Sequence, residues 1–344
     1  MNTLRPQDQS LSNSNSIATH PRAILLMQTA FIGDVILATA QVEKLHAVFP
    51  EAKIDFLVKK GNESLLYDHP HLHEVLVFDK AQGKWRDLLR LIKLVRSRKY
   101  DLVINHHRFF SSGLISGLSK AKSRIGFNKN PLSFLFTKVV DHDISIENAR
   151  HETWRNHQLI EHLTDATPGK PKLYPSKSSL DSSEKLGEYY VMAPASVWFT
   201  KQYPKEKWVE LIKLADNRHP IHLIGAPGDK ELCAWIVDQC EGYKVLNRAG
   251  ELTLLESTAL IAKAKMNFVN DSAPMHLASA MNAPVTAIYC STVPEFGFGP
   301  LSDDSRIKQV SEDLDCRPCG LHGFKACPKG HFKCSEAEWR DDEV

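Results

Sequence analysis

Short apolar runs rich in β-branched residues alternate with longer amphipathic stretches along most of this 344-residue chain. In the first half the pattern predicts strands over residues 23–27, 53–58, 75–78, 102–105 and 138–140, with helices over 36–48 and 84–98. A polar stretch, 165–183, carries Pro168, Pro171 and Pro175 and reads as a linker. The rhythm then restarts with strands over 189–192, 221–224, 244–246, 266–269 and 284–289, a helix over 205–215 and another beginning at Pro274. Strands separated by helices point to an α/β fold of parallel sheets. The expected organisation is a disordered leader over 1–20, one doubly wound Rossmann-like domain over 21–180 and a second over 181–344. Between them lies a cleft at the carboxyl ends of the strands.

Three strand-to-helix turns carry the candidate chemistry. After the apolar Met266, Phe268 and Val269, the chain turns through Asn270, Asp271, Ser272 and Ala273 into a helix with Pro274 near its first position. Helix capping is one use of such a turn. The other is to aim free N–H groups and a positive dipole end at an anion, above all a phosphate. After strand 189–192, Ser196 and Thr200 offer hydroxyls and Lys201 an ammonium, a set suited to a diphosphate. After strand 23–27, Gly33 permits close backbone approach and Asp34 places a carboxylate at the same edge.

Composition narrows the class. With 42% hydrophobic and 24% charged residues and a formal charge of +2, the chain is an ordinary soluble protein with no electrostatic case for nucleic acid. No apolar run reaches the roughly 18 residues that span a bilayer. The first 20 residues lack the apolar core of a signal peptide, so a cytoplasmic location is expected. Residues 84–99 hold seven basic residues against one acid, with apolar residues at 85, 88, 92 and 95. That is either a sheet-covering helix with a solvated face or a surface for an anionic membrane or an acidic acceptor. Four of the seven cysteines, Cys316, Cys319, Cys327 and Cys334, crowd the tail with His322 and His331 between them. Reduced thiols and a structural zinc site both fit that spacing. Histidines 69, 71, 73, 106 and 107 lack metal-like companions and take no role.

Taken in order, several segments resemble the bacterial heptosyltransferases of the lipopolysaccharide inner core, glycosyltransferase family nine. They are Ile32-Gly33-Asp34-Val35, Thr200-Lys201-x-Tyr203-Pro204, Ile224-Gly225-Ala226 with Glu231, Gly250-Glu251-Leu252-Thr253-Leu254, and Asn270 to His276. The Cys-Arg-Pro-Cys start of the tail looks like the second-heptose branch. The resemblance implies a GT-B fold and an inverting enzyme that uses an ADP-activated heptose with no metal in the chemistry. It further implies a lipopolysaccharide acceptor and a peripheral place on the cytoplasmic face of the inner membrane. By position it makes Asp34 the base. Lys201, Ser196, Thr200, Ser272 and the amides near Met275 and His276 become partners of the diphosphate, with Asp271 and Ala273 in the same turn. Leu252 and Glu231 would hold adenine and ribose. Ala273 departs from the family's usual glycine and Tyr203 from its commoner tryptophan. A non-catalytic nucleotide-binding protein is the chief rival. A nicotinamide enzyme fails because neither turn carries GxGxxG.

Overall fold

Each half of the chain stacks its apolar runs into an all-parallel sheet of six strands in the computed structural model, which describes residues 20–340. The leader expected over 1–20 therefore lies, apart from His20, outside the described residues. In the first sheet β1 (Ala23–Gln28), β2 (Lys53–Lys59), β3 (Glu74–Phe78), β4 (Leu102–Asn105), β5 (Ser123–Phe127) and β6 (Lys138–Val140) run in the order β3-β2-β1-β4-β5-β6. The second holds β7 (Tyr190–Ala193), β8 (Ile221–Leu223), β9 (Val245–Asn247), β10 (Met266–Asn270), β11 (Val285–Tyr289) and β12 (Ser305–Gln309), in the order β12-β11-β10-β7-β8-β9. Both are the doubly wound order 3-2-1-4-5-6, whose chain reversal falls between the first and fourth strands. The four loops at the carboxyl ends of β1, β4, β7 and β10 therefore flank the two switch points.

The helices are α1 (Ile32–Val48), α2 (Lys84–Arg98), α3 (Phe110–Leu118), α4 (Glu152–His157), α5 (Lys177–Glu184), α6 (Lys205–Leu214), α7 (Lys230–Asp238), α8 (Leu254–Lys263) and α9 (Ala273–Met281). Helix α1 is buried on every face from Val35 to Val42 because its own sheet lies on one side and α9 and α4 on others. One apolar cluster consequently runs through both halves, from Ile24, Phe56 and Val42 to Val191, Leu277 and Val285. Helices α2 and α3 cover the opposite face of the first sheet, over Leu25, Leu57 and Val103.

Several expectations are corrected. Helix α1 starts at Ile32 rather than 36, so Gly33 and Asp34 lie in its first turn. Part of the expected linker, Lys177–Glu184, is helix α5, capped by Ser176 Oγ accepting from Ser179 N–H at 3.2 Å, and it packs against α8. On α2 the buried stripe is Leu88, Leu91, Ile92 and Val95, whereas Trp85 stands 61% exposed. Among the described residues no helix is long and apolar enough to cross a membrane.

Candidate active site

The loops from all four switch-point strands converge on one cleft. After β1, the chain enters α1 with no side-chain cap from Phe31. Instead Asp34 Oδ2 accepts the Phe31 N–H at 3.2 Å. A carboxylate in the first turn suits the helix dipole. Burial nevertheless raises the Asp34 pKa from 3.8 to about 6, and the charge of Glu152 adds to it; two backbone N–H bonds and Lys59 pull the other way. At Gly33 a Cβ would stand 2.8 Å from the His276 ring. Its bareness lets α1 close on α9 beside the lobe that Gly33 itself lines.

On the opposite wall, Asn270 at the end of β10 ties the second half together. Its side chain donates to Pro194 O at 2.9 Å and accepts from Tyr203 N–H at 3.0 Å. Next to it Asp271 Oδ2 holds Lys201 Nζ at 2.6 Å and accepts from Thr292 Oγ1 at 2.6 Å. Asp271 therefore orients the ammonium; it does not itself face an anion. Ser272 is the N-cap of α9, and its hydroxyl makes only a 3.3 Å bond to Asn270 O. In the first turn Pro274 has no N–H and Met275 donates to Ser272 O at 3.1 Å, which leaves the Ala273 N–H as the donor the turn offers. The Met275 side chain is fully buried. His276 is 6% exposed, and its Nδ1 meets no partner among the described residues. Burial lowers its pKa to about 4, with Lys201 also disfavouring the charged form, so the ring is neutral.

The cleft has two lobes. The donor-side lobe is lined by Ser196, Lys201, Ser272, Ala273 and His276, facing Gly33 and Asp34. The other lies over the first sheet, where His106, His107, Arg108, His142 and Glu152 line it with Asp34. Sequence reading passed over these. His107 Nδ1 sits 2.7 Å from Thr29 Oγ1, and burial lowers its pKa to about 4, helped by Lys80, Arg108 and Lys59. Glu152 is buried against Arg155 Nε at 2.7 Å and His142 at 3.3 Å. Nothing in a His-His pair or a lone Glu marks such a place before the fold brings it there.

Three candidates fall elsewhere. Thr200 is buried, and its hydroxyl accepts from the Phe324 N–H at 2.7 Å and from Ser291 Oγ at 2.9 Å. That bond fixes the C-terminal tail, so no hydroxyl remains for a phosphate. Glu231 is exposed on the first turn of α7, and Leu252 lines a separate hollow between α5 and α8 with Ser179, His222 and Arg248. Neither borders the lobes around Asp34. Tyr203 uses its added hydroxyl on the tail as well, donating to Ala337 O at 2.9 Å. In that tail Cys316 and Cys319 are half-buried and Cys334 is buried. For Cys327 slight burial favours the thiol, but the amides of Phe332, Lys329, Gly330 and His331 outweigh it and lower the pKa. Among the described residues no group of three or more His, Cys, Asp or Glu is arranged to hold a metal.

A carboxylate with a raised pKa thus faces a cation, a hydroxyl and a helix start across a cleft between two Rossmann-like sheets. That arrangement fits transfer of a group from a diphosphate to a hydroxyl. Sequence comparison bears on it directly. The chain is 25% identical over 283 residues to lipopolysaccharide core heptosyltransferase OpsX of Haemophilus influenzae, covering 78% of this chain and 79% of that one. It is 27% identical to lipopolysaccharide heptosyltransferase 3 of Escherichia coli K12, over 76% and 80% of the two chains. In fold it is similar to a glycosyl transferase family 9 protein from Veillonella parvula, with a TM-score of 0.75 at 21% identity, covering 86% and 87% of the chains. The same holds for E. coli ADP-heptose lps heptosyltransferase II (TM-score 0.72, 23% identity, 86% and 95% covered) and for an E. coli heptosyltransferase solved with ADP (0.65, 22%, 83% and 90%). The family model for glycosyltransferase family 9 (heptosyltransferase) matches residues 88–323, from the basic helix to the tail whose Leu321 and His322 line the cleft. Two facing doubly wound sheets and this match together place the chain in glycosyltransferase family 9, as a glycosyltransferase of GT-B architecture.

Proposed function

We propose that this protein transfers a heptose, with inversion, from ADP-L-glycero-β-D-manno-heptose to the inner core of lipopolysaccharide. The observation that carries the reading is Asp34 facing the Lys201–Asp271 pair and the start of α9 across one lobe. An acceptor hydroxyl attacks the anomeric carbon as its bond to the diphosphate oxygen breaks. Asp34 takes the hydroxyl proton, a role for which a pKa near 6 leaves it ionised at neutral pH. The sugar passes through an oxocarbenium-like state while negative charge grows on departing ADP. Lys201, the Ser272 hydroxyl and the Ala273 N–H are placed to meet that charge without a metal, and a neutral His276 can donate to it. Ser196, on the same lobe, is a further hydroxyl for the diphosphate. The relatives' names support a heptose and a lipopolysaccharide acceptor, and the neighbour solved with ADP supports an adenosine diphosphate donor.

The acceptor is anchored in a membrane, and α2 offers a matching surface. Its exposed side carries Lys84, Arg86, Arg90, Lys93 and Arg96 beside exposed Trp85 and Leu89. Basic residues flanking an aromatic and an aliphatic side chain suit peripheral contact with an anionic lipid surface on the cytoplasmic side. The test is a screen of ADP-heptose against UDP- and GDP-sugars with core acceptors ending in Kdo or in a first heptose, followed by mass analysis of the product. Transfer from ADP-heptose is expected. Transfer from a uridine or guanosine donor instead would overturn the donor assignment.

A further inference from the structure

Two lobes share a boundary, and chemistry that joins a donor to an acceptor has to occur there. Of the residues lining each lobe, Phe31, Asp34, Phe298, Leu321 and His322 line both. Only Asp34 and His322 among them carry polar side chains. Asp34 is taken by the proton of the acceptor hydroxyl in the reading above. His322 is not used by it, and comes from a part of the chain remote from either switch point.

The tail is built to hold His322 in that position. Arg317 donates to Cys290 O at 2.7 Å and to Thr292 O at 2.9 Å, fastening the tail to the loop whose Thr292 hydroxyl holds Asp271. Cys319 N–H then donates to Ser291 O at 2.8 Å, and Thr200 N–H to Phe324 O at 3.1 Å. Between these anchors Gly323 has φ +73, and a Cβ there would lie 2.8 Å from Thr200 Oγ1 and 3.2 Å from Lys201 Cγ. Glycine is what this contact permits. The strap thus passes against Lys201 and sets the preceding side chain, the exposed imidazole of His322, at the mouth shared by both lobes. One side of the ring stays open to water, and its partial desolvation lowers the pKa, with Lys201 and Arg108 acting in the same direction while Asp271 opposes them. A neutral ring offers one N–H donor and one nitrogen acceptor, the pairing a sugar hydroxyl needs.

We infer that His322 is a sugar-contacting residue of the transferase, hydrogen-bonding a hydroxyl of the transferred sugar at the junction of the donor and acceptor lobes. This rests on the proposed transferase reading. ADP lacks that sugar, so ADP affinity separates the role from simple upkeep of the fold. His322→Ala is expected to lower kcat from ADP-heptose about tenfold or more, with the Kd for ADP by titration calorimetry within twofold of wild type. His322→Gln, which restores a donor and an acceptor at similar reach, is expected to recover most of the rate. Transfer by His322→Ala within twofold of wild type would overturn the assignment, as would parallel loss of kcat, ADP affinity and thermal midpoint that Gln does not repair. A wild-type protein that binds ADP yet transfers no sugar would instead overturn the transferase reading itself.

Discussion

Asp34→Asn should make the protein more stable while nearly abolishing turnover. In the folded chain burial raises the Asp34 pKa from 3.8 to about 6, with Glu152 adding to it. The unfolded chain ionises at the lower value, so between the two values the folded state binds more protons. Ionised Asp34 therefore costs the fold nothing below the unfolded pKa and its full penalty above about 6. At 1.36 kcal/mol per pKa unit, that penalty at neutral pH is at most about 3 kcal/mol. Water in the open cleft screens part of it, and about 1–2 kcal/mol is the expected gain from a neutral isostere. Asparagine keeps the shape, and its Oδ1 can still accept the Phe31 N–H. Urea denaturation of both proteins at pH 7 and at pH 4.5 reads the effect: the variant should gain at pH 7, and the gain should shrink as the pH falls towards 3.8. Turnover should fall about 10²-fold or more, with ADP affinity within a few-fold. A variant no more stable than wild type at pH 7, or equally stabilised at both pH values, would refute the burial argument. Near-normal turnover would refute the role as base.

Other outcomes follow from the same geometry. Because the base works ionised, kcat/KM should rise with pH through about 6 and level off above it, and Glu152→Gln should move that acid limb to lower pH by removing a like charge. Lys201→Ala should weaken ADP binding and slow transfer together, and it should also lower stability because Asp271 is left buried without its 2.6 Å partner. Activity should persist in excess chelator; reversible loss restored by Mg²⁺ would assign the diphosphate charge to a metal instead. Replacing Cys316 and Cys319 with Ser should lower the thermal midpoint while the folded fraction keeps most of its turnover, and stoichiometric zinc on metal analysis would show that the tail closes on an ion.

β1 is legible because a parallel strand buried on both faces reads as an apolar run, Ala23 to Met27, and β10 stays legible although Asn267, whose side chain donates to Pro284 O at 2.8 Å, interrupts its run. β12 escapes for the opposite reason: Ser305–Gln309 is an edge strand with mostly exposed, polar side chains. In β5, Gly126 and Arg124 break the apolar run, and Phe136 fills the space beside that glycine. Helix α8 did carry a local mark, the Thr253–Glu256 capping box, whose reciprocal bonds are 3.2 and 2.7 Å. At the site, Asp34 and Ser272 were readable because each sits where a strand gives way to a helix, and Lys201 because it lies in the polar loop that joins β7 to α6. The role given to Thr200 was misplaced because the partner that takes its hydroxyl, Phe324, lies 124 residues further on. His107, Glu152 and His322 reach the cleft only through packing between distant segments, and no local pattern announces them.

The most direct test of the central claim is a single-turnover assay of the purified protein with ADP-heptose and a heptose-deficient lipopolysaccharide core, read by mass spectrometry beside Asp34→Asn. The account predicts one heptose added to the core and ADP released by wild type, with at least about 100-fold slower addition by the variant. Equal rates from the two proteins, or no addition of heptose by a wild-type protein that binds ADP, would contradict it.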